Sequence, residues 1–198
     1  MSRITLPAAS AILPAARAGS SRGLRRAVTA AVGLALVGTL AQAPAPAAAA
    51  VPGRVCMFSY PKEPSTGRAW AGYAGHVGWA FKTGPDRWTW GSFLPAKSPW
   101  ASSWTWVATQ GKFRQMGYSS FRCKDTHRMG AAVATTKWKE LLGTRYRLLY
   151  NNCLTTSVDI FRAYTTELGS LPSGVGQTPN RYFNGTLRHY GFGGAWPL

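Results

Sequence analysis

Gly75-His76-Val77-Gly78-Trp79-Ala80-Phe81, then Lys82-Thr83-Gly84-Pro85-Asp86, then Arg87-Trp88-Thr89-Trp90-Gly91-Ser92-Phe93 reads as strand, turn and strand. Glycine, proline and aspartate in the middle supply turn chemistry, and the aromatic and β-branched flanks favour extended backbone, so the segment is an antiparallel hairpin. Side chains alternate along a strand. His76, Gly78 and Ala80 therefore share one face, and Val77, Trp79 and Phe81 share the other. The first face sets a polar ring beside small residues, and the second is large, apolar and suited to packing on helices. Closing the hairpin symmetrically about Gly84 places Ser92 opposite His76; a slip of one residue would put an apolar neighbour there instead.

Outward from the hairpin, residues 54–60 read as a first strand closed by the Pro61 to Gly67 loop, and Tyr118 to Lys124 as a further strand. Residues 94–111 carry Pro95, Pro99 and many Ser and Thr, which predicts a long irregular loop of the kind that borders binding sites. A helix is expected from Thr126 to Leu142, with Val133, Trp138, Leu141 and Leu142 facing inward and Gly143 ending it. A short extended link, Tyr146 to Tyr150, leads into a second helix that begins at Cys153 and runs to Leu168, before Gly169. The tail after Leu171, rich in Gly, Pro and Asn, wraps the domain. The expected class is α+β: a small antiparallel sheet packed against two or three helices on one side, in a single domain over residues 51–198.

Residues 1–50 read as an export signal outside that domain. Arg17, Arg22, Arg25 and Arg26 precede an apolar segment from Ala27 to Leu40, and small residues from Ala41 to Ala50 offer cleavage points. The pattern is too short and too alanine-rich for a membrane anchor, and no later apolar run reaches membrane length. Secretion and a single compact monomer are the expectation. Five of the 23 Lys and Arg fall before residue 51 and all six acids after it, which leaves 18 against six, a surplus of +12. That surplus favours anionic cell-wall or surface polymers as partners. The basic residues are dispersed from Arg54 to Arg188 and fit no nucleic-acid-binding motif. All nine tryptophans follow the leader; Trp100, Trp104 and Trp106, in a Ser/Thr-rich stretch, are candidates to line a groove for sugars or peptides.

Three cysteines in an exported domain are an odd number, of which two can pair. Cys56 and Cys123 both sit in short strand-like segments, and the simplest assignment is a disulfide between them. Cys153 is then left over. It follows Tyr150-Asn151-Asn152 and precedes the apolar-periodic residues Val158, Ile160, Phe161 and Tyr164. Asparagines before such a run are helix caps, so the sulfur lies in a first helical turn, where unpaired N–H groups and the helix dipole stabilise a thiolate. A buried packing cysteine is the alternative.

A thiolate nucleophile needs a base within hydrogen-bond reach and a neighbour that orients the base. Of three histidines, His127 begins the predicted helix after Cys123 and His189 sits in the irregular tail. His76, on a strand between two glycines, is the preferred base. Ser92 is the candidate orienter, with Thr89, an asparagine or a backbone carbonyl as substitutes. The backbone N–H of Cys153 would stabilise the oxyanion, helped by the side chain of Asn151 or Asn152.

Gly75-His76-Val77-Gly78 on a strand, followed by Asn152-Cys153 at a helix start, resembles the circularly permuted NlpC/P60-type papain-like fold, to which lecithin:retinol acyltransferase-like proteins belong. The resemblance implies a histidine strand that precedes the cysteine helix, and amidase, peptidase, thioesterase or acyl-transfer chemistry at Cys153 and His76. The third polar residue, usual on the strand after the histidine, has only Thr89 and Ser92 to match it here.

The unpermuted papain order would need its histidine strand within the last 45 residues, which hold only His189. No zinc spacing, phosphate-binding glycine loop or Gly-x-Ser-x-Gly elbow is present, so no metal or cofactor is called for. Six acids make paired-carboxylate glycosidase chemistry a poor fit. The expected function is a secreted cysteine hydrolase of amidase or peptidase type, with cell-wall peptides as substrate class. A non-catalytic cationic, Trp-rich surface- or glycan-binding module and an acyltransferase or thioesterase are the alternatives.

Overall fold

The computed structural model describes residues 51–62 and 74–198. The expected leader, Trp70 and most of the Pro61 to Gly67 loop lie outside them. Six antiparallel strands form one sheet: β1 (Gly53–Tyr60), β2 (His76–Gly84), β3 (Arg87–Gly91), β4 (Trp100–Trp104), β5 (Ser120–Thr126) and β6 (Trp196–Pro197). Their order across the sheet is β4-β3-β2-β1-β5-β6. The helices are α1 (Trp106–Gln115), α2 (Ala131–Leu142), α3 (Cys153–Tyr164) and two single turns, α4 (Pro179–Arg181) and α5 (Leu187–His189). The chain is thus α+β, and no helix among the described residues is long and apolar enough to cross a membrane.

Strand alternation splits the core into two layers. Val55, Met57, Val77, Trp79 and Phe81 face α2 and α3, where they meet Ala134, Trp138, Leu154, Val158 and Phe161. Cys56, Phe58, Ala80, Trp88 and Trp90 face the other way and meet Phe113, Tyr118 and Phe121. Aromatic contacts bind each layer: Trp79 lies edge-on to Trp138 at 4.9 Å, and Phe58 stacks on Phe113 at 3.7 Å between ring centroids. Each such buried side chain contributes roughly 1.5–3 kcal/mol of hydrophobic stabilisation. Cys56 and Cys123 stand directly opposite each other on β1 and β5 and are joined by the disulfide, with their Cα atoms 4.1 Å apart.

Three expectations are corrected. Residues 94–111 are not one irregular loop: Trp100 and Ala101 pair with Gly91 and Trp90, and Thr105 caps α1 by accepting from the N–H of Ala108 at 3.2 Å. Prolines at 95 and 99 end before that pairing begins, so they punctuate only the connection. Helices lie on both faces of the sheet, since α1 occupies the side away from α2 and α3. The helix expected from Thr126 starts at Ala131, because β5 continues to Thr126, paired with Gly53. Close approach explains one glycine here: a Cβ on Gly78 would lie 2.4 Å from the Phe113 ring.

Candidate active site

Cys153 is the first residue of α3, as its flanking sequence indicates. The Asn152 side-chain oxygen accepts from the N–H groups of Leu154 and Thr155 at 2.9 and 3.0 Å, and the Asn152 N–H donates back to Thr155 Oγ1 at 2.9 Å. This reciprocal box pins the first turn. The Asn152 amide also donates to the Leu148 carbonyl at 2.6 Å, and the residue is buried. Its side chain therefore serves the cap and the preceding turn. Asn151 holds the preceding turn through Thr144 Oγ1 and the Arg145 carbonyl.

His76 opens β2 and is 2% exposed. Its Nε2 lies 2.8 Å from Ser92 Oγ, to which the Tyr118 hydroxyl donates at 2.9 Å. The hairpin register differs from the expected one by two residues, with Trp79 opposite Gly91. A shift of two keeps Ser92 on the same face and sets it diagonal to His76, within reach of the ring. Thr89 stands opposite Phe81 and faces the other layer. Burial holds His76 well below the ordinary histidine range, at about 3, so the ring is neutral near pH 7.

Helix α3 packs on the face of β2 that carries Val77, Trp79 and Phe81. At its far end Tyr164 donates to the Lys82 carbonyl at 2.8 Å, near the close of the strand. Cys153 is in the core of Val77 and Trp79, and the His76 ring is 5.9 Å from Tyr118 in the layer of Phe113. The structure thus brings His76 and Ser92 together. Cys153 is buried and outside the disulfide.

A cavity of about 270 Å³ opens between Phe93, Leu94, Ser98, Leu142, Arg145 and Tyr146. Its Thr144 to Tyr146 wall is tied to the turn before Cys153 by the Asn151 hydrogen bonds. The tryptophan groove is not assembled as expected: Trp106 packs on Trp88, and Trp104 lies edge-on to Trp90, while Trp100 is exposed. His127 is a surface residue paired with Glu167 at 3.0 Å, and His189 is exposed in α5. Sequence reasoning missed Tyr118, because only the fold carries it to Ser92 from 26 residues away. Comparison with protein-family models, curated proteins and solved structures found no match.

Proposed function

We propose that the chain is a hydrolase of acyl compounds, amides foremost, that uses Cys153 as nucleophile and His76 as base. The observation that carries this reading is the capped helix start: Asn152 fixes the first turn of α3, whose first residue is Cys153. Helix N-termini lower thiol pKa, which favours the nucleophilic anion. Ser92 engages Nε2 of His76, so the proton from the thiol goes to Nδ1. The sulfur adds to the carbonyl carbon, first-turn N–H groups stabilise the oxyanion, and the imidazolium protonates the departing amine. Water then attacks the thioester with His76 again as base, releasing acid and thiol. The reaction requires the imidazole and sulfur to stand within about 4 Å of each other at the end of β2. Cell-wall peptides are the proposed substrates, on the charge surplus and the leader pattern; the Cys56–Cys123 disulfide accords with an oxidising compartment.

The deciding experiment is Cys153→Ala assayed on peptide amides. Loss of hydrolysis with the melting temperature nearly unchanged supports the reading; full activity in the variant rejects it. Release of an amide product on adding a primary amine would identify acyl transfer, which shares the thioester.

A second reading, a non-catalytic binding module, is favoured by the deep burial of Cys153 and His76. Thiol labelling separates the two. The enzyme has one reactive thiol with an apparent pKa well below about 8.5, whereas the module reacts only once unfolded.

A further inference from the structure

We propose that Arg122, Lys124 and Arg188 form a binding site for a phosphate-type oxyanion, independent of Cys153. Arg122 and Lys124 alternate on β5 with Phe121, Cys123 and Asp125, and they point toward the carboxy-terminal segment. Arg122 is 8% exposed; its Nη1 donates to the Gly193 carbonyl at 2.7 Å, and its guanidinium lies 5.3 Å from the centre of the Phe183 ring. Its Nε is buried with no hydrogen-bond partner. Lys124 Nζ donates to the Tyr190 carbonyl at 2.7 Å. Burial first, and then the positive charge of Arg188 on α5, push the Arg122 pKa below its ordinary value.

No carboxylate among the described residues answers these cations. Asp125 is paired with Arg54 on the other side of β5, Glu140 with Lys137, Asp159 with Arg162, and Glu167 with His127. Asp86 accepts from the N–H of Trp106. Two backbone carbonyls are the only oxygens described on the Arg122 and Lys124 head groups, and neither carries a full charge. Gathering like charges and burying one of them is costly unless an anion is supplied. A guanidinium fork, a second guanidinium and an ammonium match the several oxygens and double charge of a phosphate better than one carboxylate. Binding exchanges the Gly193 and Tyr190 carbonyls for phosphate oxygens and loosens residues 190–193 from β5.

The test is calorimetric titration of the whole chain with inorganic phosphate against chloride at matched ionic strength, repeated with a short poly(glycerol phosphate). Saturable phosphate binding is expected, weakened about fivefold or more by Arg188→Gln and by Lys124→Gln, a change of about 1 kcal/mol. Arg54→Gln, which removes an equal charge elsewhere, should leave the affinity unchanged. Tighter binding of the polymer with the same dependence on Arg188 identifies a polymer-borne phosphate; equal or weaker binding identifies free phosphate or a monoester. No phosphate binding at about 10 mM, or equal loss in Arg54→Gln and Arg188→Gln, overturns the site. Arg188 is exposed, so its variant folds, and none of these outcomes depends on hydrolysis at Cys153.

Discussion

Ser92 Oγ lies 2.8 Å from His76 Nε2 although the two residues do not stand opposite each other across the hairpin. The diagonal contact is completed from a third element, because Tyr118 donates to the same hydroxyl. Three buried polar groups, from the start of β2, the residue after β3 and the segment after α1, thus meet inside an aromatic layer.

Removing the middle member takes one hydrogen bond from each of the other two. Ser92→Ala should cost about 1–3 kcal/mol in chemical denaturation, and Tyr118→Phe about 1 kcal/mol, since it deletes a donor and leaves Ser92 bonded to His76. If His76 is the base, Ser92→Ala also lowers turnover and Tyr118→Phe lowers it less. Equal stability losses in both variants would contradict the serine as the link.

The same burial sets a pH dependence. His76 has its pKa depressed to about 3 in the folded state, below the unfolded value of 6.5. Between those values the unfolded chain binds the extra proton, so stability is full above pH 6.5 and falls as the pH drops toward 3. The slope contributed is up to about 1.4 kcal/mol per pH unit. His76→Gln should flatten the curve of unfolding free energy between pH 6.5 and 5. An unchanged slope in that variant would place the proton uptake elsewhere.

Gly78→Ala probes the α1 layer. Its Cβ would meet Phe113 at 2.4 Å and Tyr118 Oη at 3.1 Å, both fixed by stacking or hydrogen bonding. Overpacking of this kind costs about 1–3 kcal/mol. Gly143→Ala, whose nearest neighbour is a carbonyl at 3.5 Å, is the tolerated comparison. The two melting temperatures, measured side by side, decide the point.

Reduction of the Cys56–Cys123 disulfide releases a loop spanning 67 residues and should lower stability by about 2–4 kcal/mol. Cys56→Ala/Cys123→Ala should match the reduced protein and no longer respond to reductant. A residual response would point to Cys153 as a second reductant-sensitive group.

Much of this frame was legible in the chain. Alternating apolar residues around Lys82 to Asp86 marked the hairpin, Asn152 before an apolar run marked the start of α3, and the strand contexts of Cys56 and Cys123 picked out the pair. Helix α1 was not legible, since Ser, Thr and Pro around it resemble loop composition and its inward face reduces to Thr109 and Phe113. The contact of His76 with Ser92 was reached through a register wrong by two, which the pleat forgives. The layer that each side chain enters is a different matter. Alternation fixed the face of His76 and marked the Val77, Trp79 and Phe81 face that α2 and α3 cover, but that α1 would cover the His76 face depends on long-range packing of Phe58 on Phe113, which no local pattern encodes. Tyr118 was hidden for the same reason.

The bond between β1 and β5 encloses both hairpin strands, β4 and α1, but not α3. A protease that nicks the Pro95–Pro99 connection therefore leaves two pieces travelling as one particle until reductant is added. A nick at the exposed Leu149–Tyr150 turn instead severs everything that bears Cys153, with only non-covalent packing to retain it. Gels run with and without reductant would read those two scissions differently.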